Sequence, residues 1–178
     1  FDKVDISGDK IFFTEDDINK SLENCPKKLL KSMKNAYQRI YDYHLKQIPQ
    51  DLSYENDQPI NIGYRWSPIK RAGMYVPAGS APLFSSVLMN VIPAKVAGVK
   101  DIIVTMPTPK GEIAPAMLAA CSIAGINKVL KIGGAQGIAG MAYGTNRIEP
   151  VDIIVGPGNA YVASAKKQVY GQVAIDMI

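Results

Sequence analysis

The chain holds a single histidine, His44, one tryptophan, and two cysteines, Cys25 and Cys121. A catalytic zinc takes three or more side-chain ligands, drawn largely from His and Cys at short spacings. One imidazole and two distant thiols, with no C-x-x-C, offer no such set by motif. No Ser-His-Asp set is available either, so Ser80, Ser85 and Ser86 read as helix-start residues. Long apolar runs are missing as well. Lys, Pro and Gly interrupt every candidate, which leaves no membrane-spanning helix to expect. The opening FDKVDISGDK lacks the basic-then-apolar layout of a secretion leader. No lysine follows a G-x-x-x-x-G, which excludes a P-loop. The net charge is only +4, and much of the lysine lies in one helical stretch from Lys20 to Lys46. That pattern is a solvated helix face, without the aromatic–basic interleaving of a single-strand binder, so no nucleic-acid partner is expected. Reduced thiols and no leader suit a cytoplasmic protein. An opening without Met and a strand-like close suggest a piece of a longer polypeptide.

What is present is a hydrophobic fraction of 47% in 178 residues, enough for one ordinary domain with an appendage. Thr14-Glu15-Asp16-Asp17 has the spacing of a capping box ahead of Ile18 and Leu22. Pro26 suits the first position of a second helix. Leu29, Leu30, Met33, Tyr37, Ile40 and Tyr41 then recur at helical spacing to about Gln47, and His44 continues that stripe as a packed or interface residue. Gln50 to Asp57 is polar and reads as a linker. Asn61 to Trp66 alternates like a strand or hairpin arm. From Arg71 onward the pattern is strand, glycine or proline turn, helix, repeated. Pro93 is expected to kink or break the helix of Phe84, Val87, Leu88, Val91 and Ile92 near Met89. Asp101 to Met106 is a strand covered on both faces, and Ile113, Met117, Ala120, Cys121 and Ala124 mark a helix that Gly125 stops. Val162, Ala165 and Val169 face inward on the last helix, Lys166 and Lys167 outward, and Val173 to Ile178 forms the last strand. The fold class is therefore α/β: a Rossmann-like, mostly parallel sheet flanked by helices and preceded by an N-terminal helical segment. The division expected is 1–58, helical segment and linker, and 59–178, the nucleotide-binding domain.

One device occurs twice between Val129 and Tyr161. A short apolar strand, Val129 to Ile132 and then Val151 to Val155, runs into a glycine turn that opens a helix. Gly133-Gly134-Ala135-Gln136 is the first turn and Gly156-Pro157-Gly158-Asn159 the second. Glycines admit close backbone approach, and free N–H groups at a helix start favour anionic groups such as a pyrophosphate. Gln136 and Asn159 add side-chain amides that both donate and accept. Tyr75, Gln136 and Asn159 all fall at or just after strand ends, where ligands of such sheets bind. The second turn is not the full G-x-G-x-x-G, since Tyr161 stands at the third glycine, and a tight turn without ligand explains it equally. Asp176, twenty residues beyond Gly156, is either a ribose-binding carboxylate or a strand-end one. Tyr75 either meets a ligand or fills the core. Cys121 lies on a buried stripe and reads as a core thiol.

At these residues the chain resembles histidinol dehydrogenase. The likeness runs through Gly73-Met74-Tyr75-Val76-Pro77-Ala78-Gly79-Ser80-Ala81-Pro82-Leu83, then Val87-Leu88-Met89 and Pro93 to Gly98. It continues through Val129 to Gln136, Ala142 to Thr145, Val155 to Val162 and Ala174 to Met177. The resemblance implies a zinc- and NAD-dependent homodimer that oxidises L-histidinol to L-histidine through histidinaldehyde, in histidine biosynthesis, with two hydride transfers. By motif it assigns NAD contacts to Tyr75, Gln136 and Asn159. It also implies that the zinc ligands and the Glu-His acid–base pair follow Ile178. No catalytic or metal-ligating residue is then assigned here, and the chain is expected to be inactive alone. Two alternatives stand beside this: a folded interaction or structural module that binds no nucleotide without further chain, and an aldehyde-dehydrogenase-type enzyme using Cys121.

Overall fold

The computed structural model describes residues 7–55, 57, 60–78 and 82–176. Ser80 and the final two residues of the expected last strand lie outside these. Thr14 caps α1 (Glu15–Asn24): its hydroxyl accepts from Asp17 N, and Asp17 accepts from Thr14 N at 2.8 Å. The capping box therefore forms as the spacing predicts, with Asp where Glu or Gln is usual. Helix α2 (Lys27–Leu45) starts one residue after Pro26, which serves as its N-cap. Its apolar stripe turns Met33 into the core.

The stretch expected to be a linker is partly a strand. β1 (Leu52–Glu55) pairs antiparallel with β2 (Asn61–Tyr64), Leu52 opposite Tyr64 and Glu55 opposite Asn61. Every residue of both strands is exposed. The hairpin carries no buried face, so its sequence carries no burial signal.

Five parallel strands follow: β3 (Arg71–Tyr75), β4 (Asp101–Thr105), β5 (Val129–Leu130), β6 (Ile153–Val155) and β7 (Ala174–Ile175). Their spatial order is β5-β4-β3-β6-β7. Helices α3 (Phe84–Val96) and α4 (Pro115–Ile123) join the first three, and α5 (Gly134–Tyr143) and α6 (Ala160–Val169) the last two crossovers. Two cores result. One gathers Met74, Val104, Leu88, Ile92, Met117 and Cys121, with α1 and α2 packed outside α4 and α3. The other gathers Tyr75, Ile103, Ile138, Met141, Ile154 and Val162. Alternate residues of one strand, Met74 and Tyr75, thus enter different cores, as the period of two demands.

Helix α3 does not break at Pro93 as expected; it runs unbroken from Phe84 to Val96. The missing N–H and ring clash cost about 3 kcal/mol. Val87, Leu88, Val91 and Ile92 are all fully buried, and at about 2 kcal/mol each they outweigh that cost. The sheet's outer strand β5 is also bordered. Residues before α1 run antiparallel to it, Phe13 N donating to Val129 O at 2.9 Å and Lys131 N to Ile11 O at 2.8 Å.

The strand starts are tied by Arg71. Its Nε donates to Asp101 Oδ2 at 2.6 Å, its Nη1 to Pro150 O at 2.9 Å, and its Nη2 pairs with Glu149. Its own amide donates to Asp152 Oδ2 at 2.7 Å. These bonds hold the entrances of β3, β4 and β6 in register, at the end of the sheet opposite the candidate site.

Candidate functional site

The chain moves from β3 outward to β4 and β5, then returns to lay β6 against the free side of β3. Counted within the sheet the order is 3-2-1-4-5, which places a topological switch point between β3 and β6. In open α/β sheets, ligands bind at such a point, beyond the carboxyl ends of the strands. Tyr75 is the last residue of β3, and the turns carrying Gln136 and Asn159 start α5 and α6 at the same end. The structure therefore brings the three candidates to one edge.

Their side chains do different things there. Tyr75 is buried, and its hydroxyl accepts from Gly134 N at 3.1 Å, so the ring supports the start of α5. The ring packs in the core, and the hydroxyl reaches the edge. Gln136 is exposed in the first turn of α5, a helix without a side-chain cap. Gly134 makes that turn at φ +61°, and its missing Cβ leaves room for Gln136 Oε1, 3.1 Å from where such an atom would lie. The turn is tied down by Thr105, whose buried hydroxyl donates to Ile132 O at 2.5 Å. Asn159 caps α6, its Oδ1 accepting from Tyr161 N and Val162 N at 3.1 Å each. Its Nδ2 donor is on the exposed side chain, beside the helix start.

Gly156 links this turn to Tyr75. Its φ is +112°, and a Cβ would lie 2.0 Å from Tyr75 O, so no other residue permits β6 to run this close to the end of β3. Its amide donates to Asp176 Oδ2 at 2.8 Å. Asp176 thus acts here as a strand-end carboxylate directed at the turn. Lys166 corrects an expectation. It is buried rather than outward-facing, and its Nζ donates to Gly156 O at 2.6 Å. The signal was in the spacing: Val162, Ala165, Lys166 and Val169 form one i, i+3, i+4, i+7 stripe. The remaining misplacement is minor: β7 is Ala174–Ile175, shorter than expected.

Cys121 is wholly buried in α4, and burial pushes its thiol up to about 12. A nucleophilic cysteine needs a thiolate and access, and this one has neither, so the aldehyde-dehydrogenase-type reading falls. Among the described residues no three His, Cys, Asp or Glu side chains come together to hold a metal. A zinc ion therefore does not fit the side chains placed here. Two glycine turns and two exposed amide side chains, Gln136 and Asn159, stand at the carboxyl end of the sheet, a donor set of the kind that suits a dinucleotide. A concave surface lies elsewhere among the described residues. A groove of about 750 Å³ runs from His44 and Trp66 past Met89, Pro93 and Ala97 to Ile153, Val155 and Asp176. None of Tyr75, Gln136 or Asn159 lines it.

A family model described as histidinol dehydrogenase matches residues 1–178. This chain belongs to the histidinol dehydrogenase family. Histidinol dehydrogenases from Rhodospirillum rubrum and Rhizobium meliloti are 46% and 48% identical over all 178 residues. A crystal structure of histidinol dehydrogenase from Elizabethkingia anophelis superposes with a TM-score of 0.94 at 38% identity, covering 99% of this chain. The chain spans 41% of the length of each of these proteins. Family membership thus bears out the resemblance read from the ordered motifs between Gly73 and Met177, and the α/β sheet bears out the fold class. No helix is long and apolar enough to cross a membrane among the described residues.

Proposed function

We propose that this chain is the NAD-binding portion of an enzyme that oxidises L-histidinol to L-histidine through histidinaldehyde. The observation that carries this is the convergence at one strand end: Gly134 N on the Tyr75 hydroxyl, and Gly156 against the Tyr75 carbonyl. Both helix starts are thereby registered to the same residue. NAD, when bound, supplies the hydride acceptor. The chain's own work is binding and orientation. Gln136 and the uncapped start of α5, and Asn159 Nδ2 beside α6, would hold the dinucleotide, with Tyr75 setting the spacing of the two turns. The zinc and the acid–base pair implied by the resemblance have no ligand set among these residues, so no step is derived through them. A homodimer, a cytoplasmic location and L-histidinol as substrate complete the reading.

Calorimetric titration with NAD tests it. Gln136→Ala and Asn159→Ala should each weaken binding about tenfold, the worth of one lost polar contact. Unchanged affinity in both variants removes the assigned roles. The exposed groove favours a second reading, a folded module that binds no nucleotide until further polypeptide covers that face. The same titration separates the two, because the module reading requires that the parent chain show no saturable NAD binding.

A further inference from the structure

Lys166 and Asp176 stand apart from the three assigned residues, and both close on Gly156. The Lys166 side chain is 4% exposed, and its Nζ reaches Gly156 O at 2.6 Å and Asp176 Oδ1 at 2.5 Å. Asp176 Oδ2 takes the Gly156 amide at 2.8 Å. One residue is therefore held at both its carbonyl and its amide by an ion pair whose members come from α6 and from the end of β7. Burying a lysine is expensive, and apolar side chains of similar volume commonly stabilise a fold as well or better. Stability alone gives little reason for a charge pair here. Geometry gives one. Asn159 lies three residues beyond Gly156, and the turn between them contains only Pro157 and Gly158. A rotation at Gly156 would swing Asn159 and the start of α6 away from Tyr75.

We propose that Lys166 and Asp176 are positioning residues that fix the Gly156–Asn159 turn, and with it the amide donors that meet the dinucleotide's pyrophosphate. This rests on the NAD reading above. Lys166 does not touch the ligand; its ammonium acts through the Gly156 carbonyl.

The test uses the whole chain with Lys166→Met, Asp176→Asn and the double variant, titrated with NAD and followed by amide hydrogen exchange. Each single variant should weaken NAD binding about tenfold or more, as expected for losing a charged hydrogen bond that orders the site. Exchange at the Gly156 amide should quicken, while Val104 and Ile154 in the sheet stay protected. The single variants leave one charge unpaired and should melt lower. In the double variant the melting temperature should recover while NAD affinity stays depressed, because the Gly156 carbonyl still lacks its donor. Affinity that recovers together with melting temperature would mean a purely structural pair and overturns the proposal. So does parental affinity in either single variant. A parent chain that binds no NAD removes the dinucleotide reading instead. The grip is then judged by Gly156 exchange alone, and unchanged exchange in the single variants sinks it.

Discussion

Gly156 shows how one missing side chain can set the geometry of a site. At φ +112°, with Tyr75 O where a Cβ would stand, Gly156→Ala must both strain its backbone and push β6 from β3. The cost should be about 2–4 kcal/mol, read as a lowered urea midpoint with unchanged slope. Lys166 carries the complementary lesson about residue type. Its place on the stripe of Val162, Ala165 and Val169 was legible, but a lysine there was read as outward because its partner Asp176 lies across the next connection. Side-chain chemistry suggested the surface; helical phase and a distant carboxylate decided otherwise. Asp101 gives a prediction in pH. The hydrogen bond from Lys128, against the cost of burial and with help from Arg71, holds its carboxyl below the ordinary value. The unfolded chain then binds more protons, so this stabilisation is full above about pH 4 and fades as pH falls through the folded-state value. Asp101→Asn should lower the urea midpoint near neutrality, and the gap from the parent should narrow as the buffer is acidified below about pH 4, the ordinary carboxylate value.

At the scale of elements, those with a buried face were the readable ones. β4 announced itself as an apolar run, and α2 by its stripe around Met33. The glycine turns were legible from Gly133-Gly134 and from Gly156-Pro157-Gly158, whatever meets them. β1 escaped because Leu52 and Tyr54 alternate with polar residues on a hairpin exposed on both sides, where alternation decides nothing. The break allowed for at Pro93 does not occur, because four buried aliphatic side chains outweigh a real local penalty. A lone two-stranded hairpin is marginal in water. Amides of β1 and β2 should therefore exchange about a hundredfold or more faster than those of β3 and β4 in hydrogen-exchange mass spectrometry. Equal protection would show that something in solution covers the hairpin.

Taken whole, the molecule is a sheet with unequal coverage. α5 and α6 cover one face behind β6, while the other face of β6 opens into the groove beside α3, where Ile153 and Val155 are only half-buried. Residue periodicity could not reveal this, since coverage depends on which crossover lies on which side. The sheet's two margins also differ. β7 is two residues long, but β5 is bordered by the segment from Ile11 to Phe13, whose backbone occupies hydrogen-bonding positions along that strand. An unguarded strand of this kind is a template for another molecule. The short border ahead of α1 is thus a safeguard against polymerisation as much as a piece of fold. Removing residues 7–13 should leave chains that assemble edge to edge, seen as a rise in light scattering with concentration while the parent sample stays flat.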